Sequence, residues 1–186
     1  MTITLLPINT LSEFLKRPET KPASEYINGE IIQKPMPKGK HSRLQLRLCN
    51  AINEQAEPEK IAYAFPELRC SFGDRSLVPD IAVFLWSNIP FEEDGEVPND
   101  FLLPPDWIVE ILSPEQSANQ VMGKILYSLR SGSQLGWLVD PQDRSIVVFE
   151  PNKQPEWLTG SDRPQTLAGL ELELTIEQIF GWLKLN

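Results

Sequence analysis

Hydrophobic positions recur along this chain in two rhythms, and each predicts its own kind of element. In the segment 41–57, Leu44, Leu48 and Ile52 stand at i, i+4 and i+8 with Cys49 and Ala51 nearby, which predicts an amphipathic helix ended by Pro58. Val121, Ile125 and Leu129 form a second such stripe, opened by Ser117 as cap and stopped near Ser131 by Gly132. Shorter helices are predicted at the two ends. Thr10 with Glu13 resembles a capping box for 11–17, which Pro18 stops, and Thr175 with Gln178 does the same for 176–183. The other rhythm alternates. Glu25-Tyr26-Ile27 and Glu30-Ile31-Ile32 flank Asn28-Gly29, a strong hairpin signal whose two strands begin the sheet. Extended segments follow at 61–72, 77–85, 106–113, 135–139, 145–149 and 170–174, with a turn at Gly73-Asp74-Arg75 and another at 140–144. The acidic, proline-bearing stretch 86–104 is a surface loop, long enough for a lid or a plain excursion. Together these predict one α/β domain over residues 1–186, with strands of mixed direction.

Two of the extended segments carry an acid where an apolar residue belongs. In Asp106-Trp107-Ile108-Val109-Glu110-Ile111-Leu112-Ser113-Pro114, alternation sets Glu110 on one face with Ile108 and Leu112, and Trp107, Val109 and Ile111 on the other. In 77–85, Asp80 shares a face with Val78, Ala82 and Phe84, and Pro79 suits a strand edge or a bulge. A buried carboxylate is costly unless a cation or hydrogen-bond donors meet it. If the two strands are neighbours, the acids converge, and two close carboxylates must share a proton or bind a cation. Hard oxygen ligands suit Mg²⁺ or Mn²⁺, and such an ion can activate water and stabilise a phosphoryl transition state. Lys124 could add a flexible positive charge that orients water or holds a phosphate. Each residue also has a plainer role: a paired structural acid, a surface lysine lying along an apolar stripe, and, for His41, a solvated residue at a helix start.

Composition narrows the class. Of 186 residues, 41% are hydrophobic and 23% charged, which are globular values. No apolar run reaches the roughly 20 residues of a membrane helix, and Met1 to Pro7 lacks a signal-type core, so a cytoplasmic protein without membrane contact is expected. Cys49 and Cys70 have no metal-ligand spacing, and reduced, core-packed thiols are the expectation. A net charge of −9 argues against a surface that is basic all over. The charge is segregated, however. From Ile31 to Asn53 there is no acid, while Lys34, Lys38, Lys40, Arg43 and Arg47 all fall there. One basic groove on an acidic body is therefore open to this chain, as are ordinary solvated faces.

Val78-Pro79-Asp80-Ile81-Ala82-Val83, the Asp106 to Pro114 stretch, Lys124, and Gly136-Trp137-Leu138-Val139-Asp140-Pro141 follow one another in an order that resembles the Uma-two family of candidate restriction endonucleases, a branch of the PD-(D/E)XK nuclease superfamily. The segment Glu25 to Ile32, with His41 opening the next helix, fits the same pattern, so the resemblance spans about 10–183. It implies a restriction-endonuclease-like fold: a mixed central β-sheet flanked by helices, an α/β (α+β) class, with an amino-terminal β-hairpin extension. It also implies a metal-dependent endonuclease that hydrolyses DNA phosphodiester bonds, with Asp80 and Glu110 holding Mg²⁺ or Mn²⁺ and Lys124 assisting the water or the phosphate. The superfamily usually has lysine two positions after the second acid. That position is Leu112 here, and the resemblance puts the lysine on the following helix, at Lys124. His41 would support the site, and Lys40 and Arg43 are candidate phosphate contacts beside it. A homodimer would suit a nuclease that must cut two strands.

Two other readings stand beside this one. A catalytically inactive member of the same fold would bind nucleic acid or a protein partner, a reading that the acidic charge and Leu112 favour. A general acid and base acting on a sugar would need no metal.

Overall fold

In the computed structural model, which describes residues 10–185, the hairpin forms as its turn demands. Asn28 and Gly29 adopt φ of 53° and 84°, and β1 (Ser24–Ile27) pairs antiparallel with β2 (Glu30–Gln33). The stretch Met1 to Pro7, weighed above as a signal segment, lies outside the described residues. Before the hairpin, α1 (Leu11–Leu15) starts where Thr10 Oγ1 accepts a hydrogen bond from the Glu13 amide, 3.2 Å. After it, α2 (Gly39–Ala56) buries Leu44, Leu48 and Ile52 completely, as their spacing requires.

The next two extended segments differ from expectation, because each is broken in the middle. The segment 61–72 divides into β3 (Ala62–Pro66) and β4 (Cys70–Phe72), with Glu67 at a φ of 47° between them. The segment 77–85 divides into β5 (Arg75–Leu77) and β6 (Ile81–Leu85), separated by Val78-Pro79-Asp80. At both breaks the chain changes sheets. A four-stranded sheet runs β2-β1-β5-β4, so the hairpin belongs to this sheet and does not begin the main one. Pro79 has no amide to donate to a ladder, which suits it to the switch point. The 86–104 segment begins with a short 3-10 turn and is pinned by Phe101, which is buried against Phe84 with ring centroids 4.9 Å apart. This contact makes the segment an anchored excursion.

The larger sheet has the order β10 (Glu156–Thr159), β9 (Ser145–Phe149), β8 (Leu135–Asp140), β7 (Trp107–Ile111), β6, β3. Its centre is β7, antiparallel to β6 and parallel to β8. A parallel neighbour needs a crossover, and α3 (Ala118–Arg130) supplies it. Ser117 occupies the N-cap of α3 without a side-chain bond; its carbonyl accepts from Gln120 and Val121 instead. The alternation in β7 holds. Trp107, Val109 and Ile111 face the core under α2 and α4 (Ile176–Gly181), while Ile108 faces Val121 and Ile125 of α3. Gly136 allows α3 to sit that close, since a Cβ there would lie 2.3 Å from Ile125 Cγ2.

Beyond β8, Arg144 turns the chain into β9, and β10 adds an edge strand that its pattern does not announce. The strand expected at 170–174 is absent. Leu170 and Leu172 are buried in the core, but the segment has no ladder partner and packs through its side chains. α4 carries the full capping box of Thr175 and Gln178. Cys49 and Cys70 are free and buried, and burial pushes both thiols up to about 12. Among the described residues no helix is long and apolar enough to cross a membrane.

Candidate active site

β6 and β7 bring the two acids together by register. Ile81 pairs with Val109 in an antiparallel ladder, and one further step sets Asp80 across from Glu110. Asp80 is 2% exposed and Glu110 1%. Both are met, though by different groups.

Asp80 is saturated. Its Oδ1 lies 2.7 Å from Lys34 Nζ, and its Oδ2 lies 3.0 Å from His41 Nε2 and accepts from the Ile111 amide at 2.7 Å. Lys34 Nζ also donates to the Val78 carbonyl, 2.7 Å, and Gln45 Nε2 donates to the Asp80 carbonyl, 2.7 Å. Burial alone would raise the Asp80 carboxyl. Lys34 and His41 outweigh it and hold the group well below the usual carboxylate range. Lys34 remains charged for the reciprocal reason: burial opposes the ammonium, but Asp80 and Glu110 more than compensate.

Glu110 is less well provided. Lys124 Nζ stands 2.9 Å from its Oε1, an ion pair by distance, yet no properly directed hydrogen bond reaches that buried oxygen. Burial, opposed by Lys124 and reinforced by the negative charge of Asp80, pushes this carboxyl up to about 7. Lys124 also donates to Glu25 Oε1 and Oε2, each at 3.2 Å, and Glu25 Oε1 accepts from the Val78 amide at 2.9 Å. Burial disfavours the Lys124 charge, but Glu110, Glu25 and Asp80 together raise its proton affinity above the ordinary lysine value.

The structure thus places Asp80, Glu110, Lys124 and His41 in one buried cluster. Lys124 is inward because α3 buries the set Val121, Lys124, Ile125 and Ser128, whose spacing of i, i+3, i+4 and i+7 includes the lysine. His41, only 6% exposed, is a partner of Asp80 and not a solvated residue; its Nδ1 has no hydrogen-bond partner. Lys40 is exposed beside it. Arg43 is turned elsewhere, its Nε donating to the Trp182 carbonyl. Two members of the cluster escaped the sequence reading as site residues. Glu25 is a strand acid of the same kind as Asp80 and Glu110, and that argument, applied to β1, would have found it. Lys34 has no comparable local signal, since its partners lie more than forty positions away.

The donor set suits a hard divalent cation. Two carboxylates face one another across the ladder, and Glu110 Oε1 is met by the Lys124 ammonium at 2.9 Å. Among the described residues, no group of three or more His, Cys, Asp or Glu side chains is arranged to hold a metal. A two-carboxylate site is what Mg²⁺ accepts when water and substrate phosphate complete its octahedron.

Two surface grooves lead to the cluster. One, of about 710 Å³, runs between the β1–β2 hairpin and α3 and reaches Glu25, Lys34 and Lys124. The other, of about 620 Å³, lies at the start of α2 and reaches His41, with Lys38 and Lys40 on its wall. Gln116 borders both, and Lys38 Nζ bonds Glu115 Oε1 across the divide at 2.6 Å.

Comparison with known proteins adds three findings. The Uma2 (Uma-two) family model, described as "Putative restriction endonuclease", matches residues 11–178. A solved structure of "a putative nuclease belonging to DUF820" from Anabaena variabilis is 52% identical, with a TM-score of 0.90 over 94% of this chain and 99% of that one. No curated protein matches the chain.

Proposed function

Because the chain belongs to the Uma2 family of restriction-endonuclease relatives, we propose that it hydrolyses phosphodiester bonds in DNA with Mg²⁺ or Mn²⁺ held by Asp80 and Glu110. The observation that carries this is the meeting of the two carboxylates with Lys124 from three separate elements, β7, α3 and the β5–β6 switch, all buried, with Lys124 lining a surface groove. When bound, the ion supplies positive charge that polarises the phosphodiester and lowers the pKa of water.

The remaining work belongs to side chains. His41 and the Ile111 amide fix the Asp80 carboxylate, so that it presents its oxygens in one orientation. Glu25 holds the Lys124 ammonium beside Glu110. From there Lys124 can hydrogen-bond a non-bridging phosphate oxygen as charge builds on it. In the hydrolysis, water forms the new P–O bond, one bridging P–O bond breaks, and the proton lost by water is balanced by protonation of the leaving oxygen. Lys40, at the start of α2, is exposed on the wall of the second groove, where Lys38 is paired with Glu115.

The test is calorimetric titration of Mn²⁺ and Mg²⁺ into wild type and Asp80→Asn, with plasmid cleavage assayed in parallel. Metal binding and cleavage should both be lost in the variant while its melting transition stays cooperative. Equal cleavage by the two proteins would refute the assignment. A second reading, a non-catalytic binding member, is favoured by one observation: Lys34 and Lys124 already neutralise Asp80 and Glu110. Absence of metal binding at millimolar concentration in both proteins would select it.

A further inference from the structure

We propose that the nucleic acid is engaged as a single strand, lying in the groove between the β1–β2 hairpin and α3, and that a duplex must open before it reaches the acids. This deepens the nuclease reading above and rests on it. Three observations point the same way.

The first is depth. Asp80, Glu110 and Glu25 are each 3% exposed or less, and of the three only Glu25 lines the groove, so a scissile phosphate must pass beneath the groove wall, beside Lys124, to meet Asp80 and Glu110. The groove, of about 710 Å³, is comparable in volume with clefts that take one ligand of drug size.

The second is charge. Lys34 and Lys124 are committed to Asp80, Glu110 and Glu25, which leaves Arg75 and Arg130 as the other cations lining this groove. Arg130 is exposed. Arg75 is stacked 4.0 Å over the Tyr127 ring and gives one nitrogen to Asn28, and its Nε has no hydrogen-bond partner. Two guanidinium groups suit one phosphate backbone. Glu30, which also lines the groove, would repel a second backbone lying alongside. The chain as a whole, at −9, has no excess of positive charge with which to hold a duplex from outside.

The third is lining chemistry. Gln33, Gln116 and Gln120 present amides able to hydrogen-bond exposed base edges, and Ile27, Ile32 and Val121 offer apolar surface for unstacked base faces. Ile32 is 40% exposed on β2. Base edges and faces are both available only when the strand is unpaired.

The experiment is fluorescence anisotropy with a labelled oligothymidine of about 12 nucleotides and an A·T duplex of the same length, both in EDTA so that cleavage plays no part. Wild type should bind the single strand at least about tenfold more tightly than the duplex. The salt dependence should be shallow, with a slope near −1.4, about −0.7 for each of two neutralised phosphates. Arg130→Gln, which removes one of the two proposed phosphate contacts and leaves the acids and Lys124 untouched, should weaken single-strand binding roughly fivefold and reduce the slope by about 0.7. Equal or tighter duplex binding, binding of neither form, or an Arg130→Gln variant indistinguishable from wild type would each overturn the inference. Asp80-dependent cleavage confined to duplex would remove this inference and leave the nuclease reading standing. Preferential single-strand binding without Asp80-dependent cleavage would do the reverse.

Discussion

Gly136 carries a consequence out of proportion to its size, because it is the floor on which α3 rests. A Cβ added there would lie 2.3 Å from Ile125 Cγ2 and 3.5 Å from Ile108 Cγ2. Carbon atoms make their best contacts at about 3.5–4.0 Å, so the Ile125 contact is short by more than ~1 Å. Ile125 cannot easily turn aside. It is fully buried, and a β-branched side chain in a helix has one strongly preferred rotamer. In Gly136→Ala, α3 must therefore lift from the sheet or Ile125 must take a strained rotamer, and overpacking of this kind costs about 1–3 kcal/mol. At this chain length each kcal/mol lowers Tm by roughly 2–4 °C, so a loss of about 2–12 °C is expected in a reversible thermal melt. Lys124 precedes Ile125, so lifting the helix also lengthens the 2.9 Å contact with Glu110. A double-mutant cycle isolates the cause. Ile125→Ala removes the clashing methyl, and the double variant should lose less stability than the two single losses added together. A Tm unchanged in Gly136→Ala, or a strictly additive cycle, would refute the reasoning.

Other expectations concern the acids, the core and the thiols. The Asp80 carboxyl is held below its ordinary value, so its stabilisation is present above the unfolded carboxyl pKa and disappears as pH falls through the folded one; wild type should lose stability under acid more steeply than Asp80→Asn. Glu110 has the opposite sign. Raised to about 7, it binds a proton more tightly folded than unfolded, so its contribution weakens as pH rises from about 4.5 to 7, and urea titrations should show a flatter pH profile in Glu110→Gln over that window. Leu48→Ala, at a fully buried position of α2, should destabilise by about 2–5 kcal/mol in urea denaturation. Cys49 and Cys70, with thiol values near 12, should resist a thiol-specific reagent in native protein and react fully in denaturant.

What the sequence by itself determined is local in physical origin. The Asn28-Gly29 turn, the α2 stripe, the α4 capping box and the alternation of β7 depend on residues within a few positions of one another, so their periodicity and capping chemistry could be read directly. The acid at Glu110 was legible for the same reason: it interrupts an apolar face. Tertiary structure decided the rest. The breaks at Glu67 and at Val78-Pro79-Asp80 arise because the chain leaves one sheet for another, and an extended run looks the same whether it stays or crosses. β10 exists because β9 offers an open edge, while 170–174 finds no such edge and buries its leucines without a ladder. The site shows the same division. Asp80, Glu110 and Glu25 carry a signal in their own segments, as acids within extended runs, but Lys34 became a member only when folding carried its charge to groups more than forty residues distant. Whether a lysine snorkels to solvent or neutralises a buried carboxylate is set by that encounter, because the cost of burying each charge is met only when the partner arrives.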